Sequence, residues 1–172
     1  MAGGYWGLVT AAIPIDVGIG RRHRTLGPFA IDIHAPRETV FDILAAPYLG
    51  RQTHAMADKI HILERGTDMV LAAHRTPIHG RLTATTVETV RFHRPERVDF
   101  RLIRGPVPEV IETFLLEENG PTTRLHYRGR LGTDLAAVGA WWGRLVAHRW
   151  EHVVTETFIA VKAQAQRHTR TR

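Results

Sequence analysis

The stretch FAIDIHAPRETVFDILAAP, Phe29 to Pro47, changes its hydrophobic period once, and that change decides how the chain is read. In its first part Phe29, Ile31 and Ile33 fall on one face and Ala30, Asp32 and His34 on the other, the alternation of a half-buried strand. From Pro36 the spacing becomes helical: Pro36 opens a helix, Glu38 lies in its first turn, Val40, Ile43 and Leu44 share a face, and Pro47 ends it. The following PYLGRQTHA reads as a second small helix. A strand followed by two short helices is an unusual way to begin, and it restricts what comes next.

Downstream, six runs rich in β-branched and aromatic residues are separated by turns such as ERGTD, HRPER, RGPVP and ENGPTT. Connections this short predict antiparallel neighbours. The last element is a single long helix from about Thr133 to His168, with Thr133 or Asp134 as its cap. Its predicted inner ladder is Leu135, Val138, Trp142, Val146, Trp150, Val153, Thr157 and Val161. The order of strand, two short helices, six strands and a long helix is α+β, and it is that of a known topology: a seven-stranded antiparallel curved sheet wrapped around a long C-terminal helix, with two short helices after the first strand. Three segments are expected, namely an apolar arm over residues 1–26, one domain over 27–168 and a basic tail over 169–172.

Composition narrows the function. With 172 residues the chain suits one well-buried core. The absence of cysteine excludes disulfide scaffolds, thiol nucleophiles and cysteine-held zinc, and it favours a cytoplasmic location. The net charge of +6 comes almost wholly from scattered arginines, with lysine only at Lys59 and Lys162, so no nucleic-acid partner is expected. The apolar opening is too short to span a bilayer and is interrupted by Pro14 and Asp16. It reads as an extra strand or packed arm, a membrane-surface contact being the lesser reading.

Three segments, IDIHAPRETVFDILAAP, VETVRFHRPERVDFRLIRG and WWGRLVAHRWEHVVTETFIAV, together resemble the START-like or SRPBCC superfamily, which includes polyketide cyclases and dehydrases, lipid-transfer domains and plant pollen allergens. The resemblance covers about Gly27 to Gln166 and implies a helix-grip fold with an internal cavity. It specifies the fold far better than any activity.

The residues themselves show which polar groups would enter such a cavity. Alternation places Glu112 with Val110, Phe114 and Leu116, and Glu88 with Leu82, Ala84, Thr86, Val90 and Phe92. Tyr127 falls with Leu125 and Leu131, and Arg149 lies at the margin of the helical stripe. Polar groups on apolar faces are either paired or functional. The expected ligand-binding set is therefore Glu88, Phe100, Glu112, Phe114, Tyr127, Trp142, Arg149 and Val153. Two roles for Arg149 are balanced: contact with ligand, or neutralisation of one of the glutamates.

His148, Glu151 and His152 form an H-x-x-E-H spacing like that of one class of zinc peptidases. The helical projection turns all three to the wet side, and Glu156 is the one acidic residue after them, so no metal site is expected. His126 shares a polar face with Arg124, Arg128 and Arg130, and His74 reads as an exposed or satisfied histidine. Gly139 and Gly143 in GAWWG are read as helix–sheet packing positions. No cofactor and no assigned catalytic residue are expected. The reading is a carrier or sensor that binds a hydrophobic small molecule such as a lipid or polyketide. The alternative is a cyclase or aromatase acting on a poly-β-keto chain in the same cavity.

Overall fold

The structure is a computed structural model that describes residues 16–51, 59–79 and 82–170. Its elements are β1 (Arg22–Ile33), α1 (Arg37–Ala45), β2 (Ile60–Arg65), β3 (Met69–His79), β4 (Leu82–His93), β5 (Arg97–Arg104), β6 (Glu109–Asn119), β7 (Thr122–Thr133) and α2 (Ala136–Arg170). The seven strands form one antiparallel sheet in the order β1-β7-β6-β5-β4-β3-β2. Only β1 pairs away from its sequence neighbour, because α1 carries the chain from one edge of the sheet to the other. Of the second short helix, residues 46–50 form turns and residues 52–55 lie outside the described residues.

Alternation holds where it was read. In β6, Val110, Glu112, Phe114 and Leu116 are buried while the residues between them are half-buried, and in β4 Ala84, Thr86, Glu88 and Val90 are buried likewise. Cross-strand register brings these positions together: Val90 opposes Phe100, Phe100 opposes Glu112, and Phe114 opposes Tyr127. The same face carries a run of aromatic contacts from Tyr48 through Phe100 and Phe114 to Tyr127, with centroids 5.1–5.7 Å apart.

The helix α2 covers that face, but it is turned relative to the expected ladder. Val146, Ala147, Val154, Phe158, Val161 and Ala165 are buried, whereas Leu135 is exposed, Val138 is 69% exposed and Val153 41%. Two adjacent stripes of this helix are apolar, so spacing alone leaves the inward one undecided. Phe158 decides it: its ring lies 6.0 Å from Phe114. The small Ala147 and Ala165 on the same stripe allow close approach. Among the described residues no helix is long and apolar enough to cross a membrane.

The helix also begins later than expected, at Ala136, and Asp134 does not cap it. Its carboxylate instead accepts hydrogen bonds from Val17 N (2.8 Å), Gly18 N (2.7 Å) and Arg21 Nε (2.7 Å). Arg21 bridges on to Asp16, and these donors, Arg21 first, hold the Asp134 carboxyl down to about pKa 2. Two amides at the helix start are satisfied by the same segment, Leu135 N donating to Ile19 O and Ala136 N to Gly20 O. Residues 16–26 are thus tied to the sheet and helix, and the boundary expected at residue 27 falls inside β1.

Gly139 and Gly143 pack where that junction is tightest. A Cβ at Gly139 would sit 1.6 Å from Asp134 O, and one at Gly143 2.8 Å from Thr133 Cγ2. Glycine to alanine inside a helix ordinarily stabilises by about 1 kcal/mol, but here the steric cost reverses the sign. Gly139→Ala is expected to lose at least about 2 kcal/mol in urea unfolding. Unchanged or raised stability would refute this packing role.

Candidate functional site

Between the sheet and α2 lies a cavity of about 600 Å³. Its walls are mainly apolar, formed by Leu44, Tyr48, Ile60, Phe100, Phe114, Trp142, Val146, Trp150 and Val154. Seven of the eight expected ligand-binding residues line it: Glu88, Phe100, Glu112, Phe114, Trp142, Arg149 and Val153. Tyr127 stands behind the wall, buried, and donates from its hydroxyl to Glu112 Oε1 at 2.7 Å.

The two buried glutamates are satisfied in different ways. Glu88 has a partner on each oxygen, since Oε1 accepts from Thr86 Oγ1 at 2.6 Å and Oε2 lies 3.2 Å from His74 Nδ1. Burial opposes charge on both partners, yet their mutual attraction and hydrogen bonding outweigh it. Glu88 is therefore held below the usual carboxylate range and His74 above the usual imidazole range. Glu112 receives only neutral donors, Tyr127 Oη and Trp150 Nε1, both on Oε1 and both at 2.7 Å. Burial, reinforced by the charge of Glu88, pushes its carboxyl up to about 7. Burial and the two carboxylates likewise push the Tyr48 phenol far up, keeping it neutral.

Two expectations are decided here. His74 points inward, so the exposed reading falls and the satisfied one holds for one nitrogen: Nδ1 serves Glu88, while among the described residues Nε2 is buried without a hydrogen-bond partner. The signal was present, because Val70, Ala72 and His74 share one face of β3. Arg149 pairs with neither buried glutamate; it is exposed and lies at the cavity mouth beside His148. A guanidinium reaches water from this position more cheaply than it could be buried.

The H-x-x-E-H residues separate into three jobs. His148 lines the mouth, His152 faces Glu156 one turn on at 3.4 Å, and Glu151 accepts from Gly27 N at 3.0 Å. Glu151 is thus half-buried against the β1 irregularity at Leu26–Phe29, not on the wet side as its projection suggested. Among the described residues no three potential metal-holding side chains cluster. His126 is half-buried on the outer face and pairs with Glu117 at 2.9 Å.

The raised Glu112 pKa makes stability depend on pH with a definite sign. A carboxyl that ionises later when folded leaves the folded state holding the extra proton. Stability therefore falls as pH rises from the unfolded value of 4.5 to about 7. In Glu112→Gln the amide oxygen still accepts from Tyr127 and Trp150, but nothing titrates. Urea unfolding should show the variant's stability rising relative to the unaltered protein by roughly 2 to 3 kcal/mol between about pH 5 and about pH 8. A constant difference would mean that Glu112 titrates normally.

No family model matches the sequence, and no curated protein matches it. Solved structures do match in three dimensions. The norcoclaurine synthase point mutant from Thalictrum flavum, in complex with a transition-state analogue, is 11% identical, with 88% of this chain and 99% of that one covered at a TM-score of 0.66. The Zhui aromatase/cyclase from a Streptomyces species is 19% identical over 88% of this chain and 96% of that one, with a TM-score of 0.63. A START superfamily protein from Mycobacterium smegmatis is 16% identical over 84% of this chain and 99% of that one, with a TM-score of 0.59. At these identities the likeness speaks for architecture alone, and it agrees with the strand order and the gripped helix: the chain has the helix-grip fold of START-like proteins.

Proposed function

We propose that this protein binds a hydrophobic small molecule, such as a lipid or polyketide, in the cavity between the sheet and α2, as a carrier or sensor. The observation that carries the reading is the cavity itself: about 600 Å³, walled by aromatic and aliphatic side chains, with few polar atoms grouped at Glu88, His74 and Glu112. This is the size and lining typical of small-molecule sites. Binding requires shape, apolar surface and a few polar anchors, and all three are supplied. The ligand contacts fall to Phe100, Phe114, Trp142 and Val153 as apolar wall, Glu88 and Glu112 as polar anchors, Arg149 at the mouth, and Tyr127 through its bond to Glu112.

A second reading, a polyketide cyclase or aromatase type of enzyme, is favoured by one observation. The His74–Glu88 pair and Glu112, whose carboxyl titrates near neutrality, line one cavity, and such groups can exchange protons with a bound substrate. The cavity explains binding without them, so binding is the primary function and turnover the secondary one. A cytoplasmic location fits a chain without cysteine. Among the described residues the arginines are dispersed and several are ion-paired, as Arg130 is with Glu109 and Arg97 with Asp99, an arrangement that does not favour a nucleic-acid partner.

Native mass spectrometry of protein purified from its host tests the binding reading. A bound apolar molecule is expected at substantial occupancy. Ala84→Phe, which adds a ring inside the cavity wall, should reduce that occupancy at least about tenfold while the protein stays folded. An empty protein that also fails to take up added apolar compounds, or an Ala84→Phe variant that retains its ligand, would contradict it.

A further inference from the structure

The two cavity glutamates differ in what they leave free. Glu88 uses both oxygens, on Thr86 and His74, and its charge is balanced by the imidazole. Glu112 uses one: Tyr127 and Trp150 both donate to Oε1, and among the described residues no hydrogen bond reaches Oε2. Among the described residues no cation pairs with it either: His74 is committed to Glu88 and acts on Glu112 only through space, and Arg149 is exposed at the mouth. A carboxyl group buried in an apolar cavity with one oxygen unused is costly unless something bonds it.

We propose that Glu112 Oε2 is a recognition point for a hydroxyl group on the apolar ligand, oriented by Tyr127 and Trp150, which clamp the other oxygen. The inference rests on the binding function proposed above and narrows it to hydroxylated ligands. A hydroxyl fits because it both donates and accepts, so it bonds Oε2 whether the carboxyl is ionised or protonated. An ammonium group would also pair with a carboxylate, but it would have to pass Arg149 and His148 at the mouth of a protein whose net charge is +6. The wall around Glu112 is aromatic, with Phe114 and Trp150 adjoining it, which suits a hydroxyl carried on a ring. Tyr127 and Trp150 act here as positioning residues. They fix the carboxyl plane from β7 and α2, so Oε2 has one direction and the ligand hydroxyl one address.

Three probes of matched shape test this by fluorescence titration near pH 8: 2-naphthol, 2-methylnaphthalene, which replaces the hydroxyl by a methyl group, and 2-naphthylmethylammonium. The naphthol is expected to bind about tenfold more tightly than the hydrocarbon, and Glu112→Gln, which keeps the acceptor for Tyr127 and Trp150 but replaces Oε2 by an amide nitrogen, should shrink that advantage to less than about threefold. Equal affinity of the naphthol and the hydrocarbon for the unaltered protein overturns the inference and leaves the binding function standing. An undiminished naphthol advantage in Glu112→Gln, or tightest binding by the ammonium, also overturns it. If none of the three binds, the cavity function falls and the inference falls with it.

Discussion

Two carboxyl groups lie buried beneath one helix, and the architecture of the site follows from how each is accommodated. Glu88 on β4 and Glu112 on β6 flank β5, opposite Leu102 and Phe100 respectively, all facing the interior. Neither is tolerable there as a bare charge. Glu88 is kept ionised by a histidine from the next strand and a threonine from its own, while burial and the charge of Glu88 push Glu112 up to about 7 despite two uncharged donors from β7 and α2. The contrast leaves one acid partnered on both oxygens and the other, among the described residues, with one oxygen unbonded at a ligand-sized space.

That space exists because the grip of the helix is tight at its ends and open between them. Near its start, Gly139 and Gly143 let α2 meet Thr133 and Asp134 at backbone distance, and residues 16–21 strap the same corner through Asp134. Farther along, Phe158, Val161 and Ala165 are buried against the sheet and α1. Between them the side chains facing the sheet are Trp142, Val146, Trp150 and Val154, and they roof the cavity. Trp142 is fixed by its own bond to Pro106 O at 2.8 Å, so the roof is held from the loop between β5 and β6 as well as from the helix.

Much of this was legible from residue order. A strand's side chains alternate without drift, so reading one residue of β4 or β6 inward places the rest, and Glu88 and Glu112 were located that way. A helix offers no such certainty. Where Val153 and Val154 are both apolar, spacing permits either to face the sheet, and the choice rests on the Phe158–Phe114 contact, which joins residues remote in sequence. For the same reason the projection misplaced Glu151 and left Arg149's partner open. The strap through Asp134 was illegible because two of its donors are backbone amides of Val17 and Gly18, groups that every sequence contains, and the third, Arg21, is remote from Asp134 in sequence. His74 was missed for a different reason: its inward position follows from alternation, but its pairing with Glu88 depends on the β3–β4 register, in which His74 opposes Thr86.

The indole N–H resonances of the tryptophans give the most direct view of the cavity. Trp142 and Trp150 line it, whereas Trp141 sits outside on the exposed side of α2. In a ¹⁵N-labelled protein titrated with 2-naphthol, the Trp142 and Trp150 indole signals should shift together along one saturating curve while that of Trp141 stays in place. Shifts confined to Trp141, or none at all at saturating probe, would contradict an internal binding site.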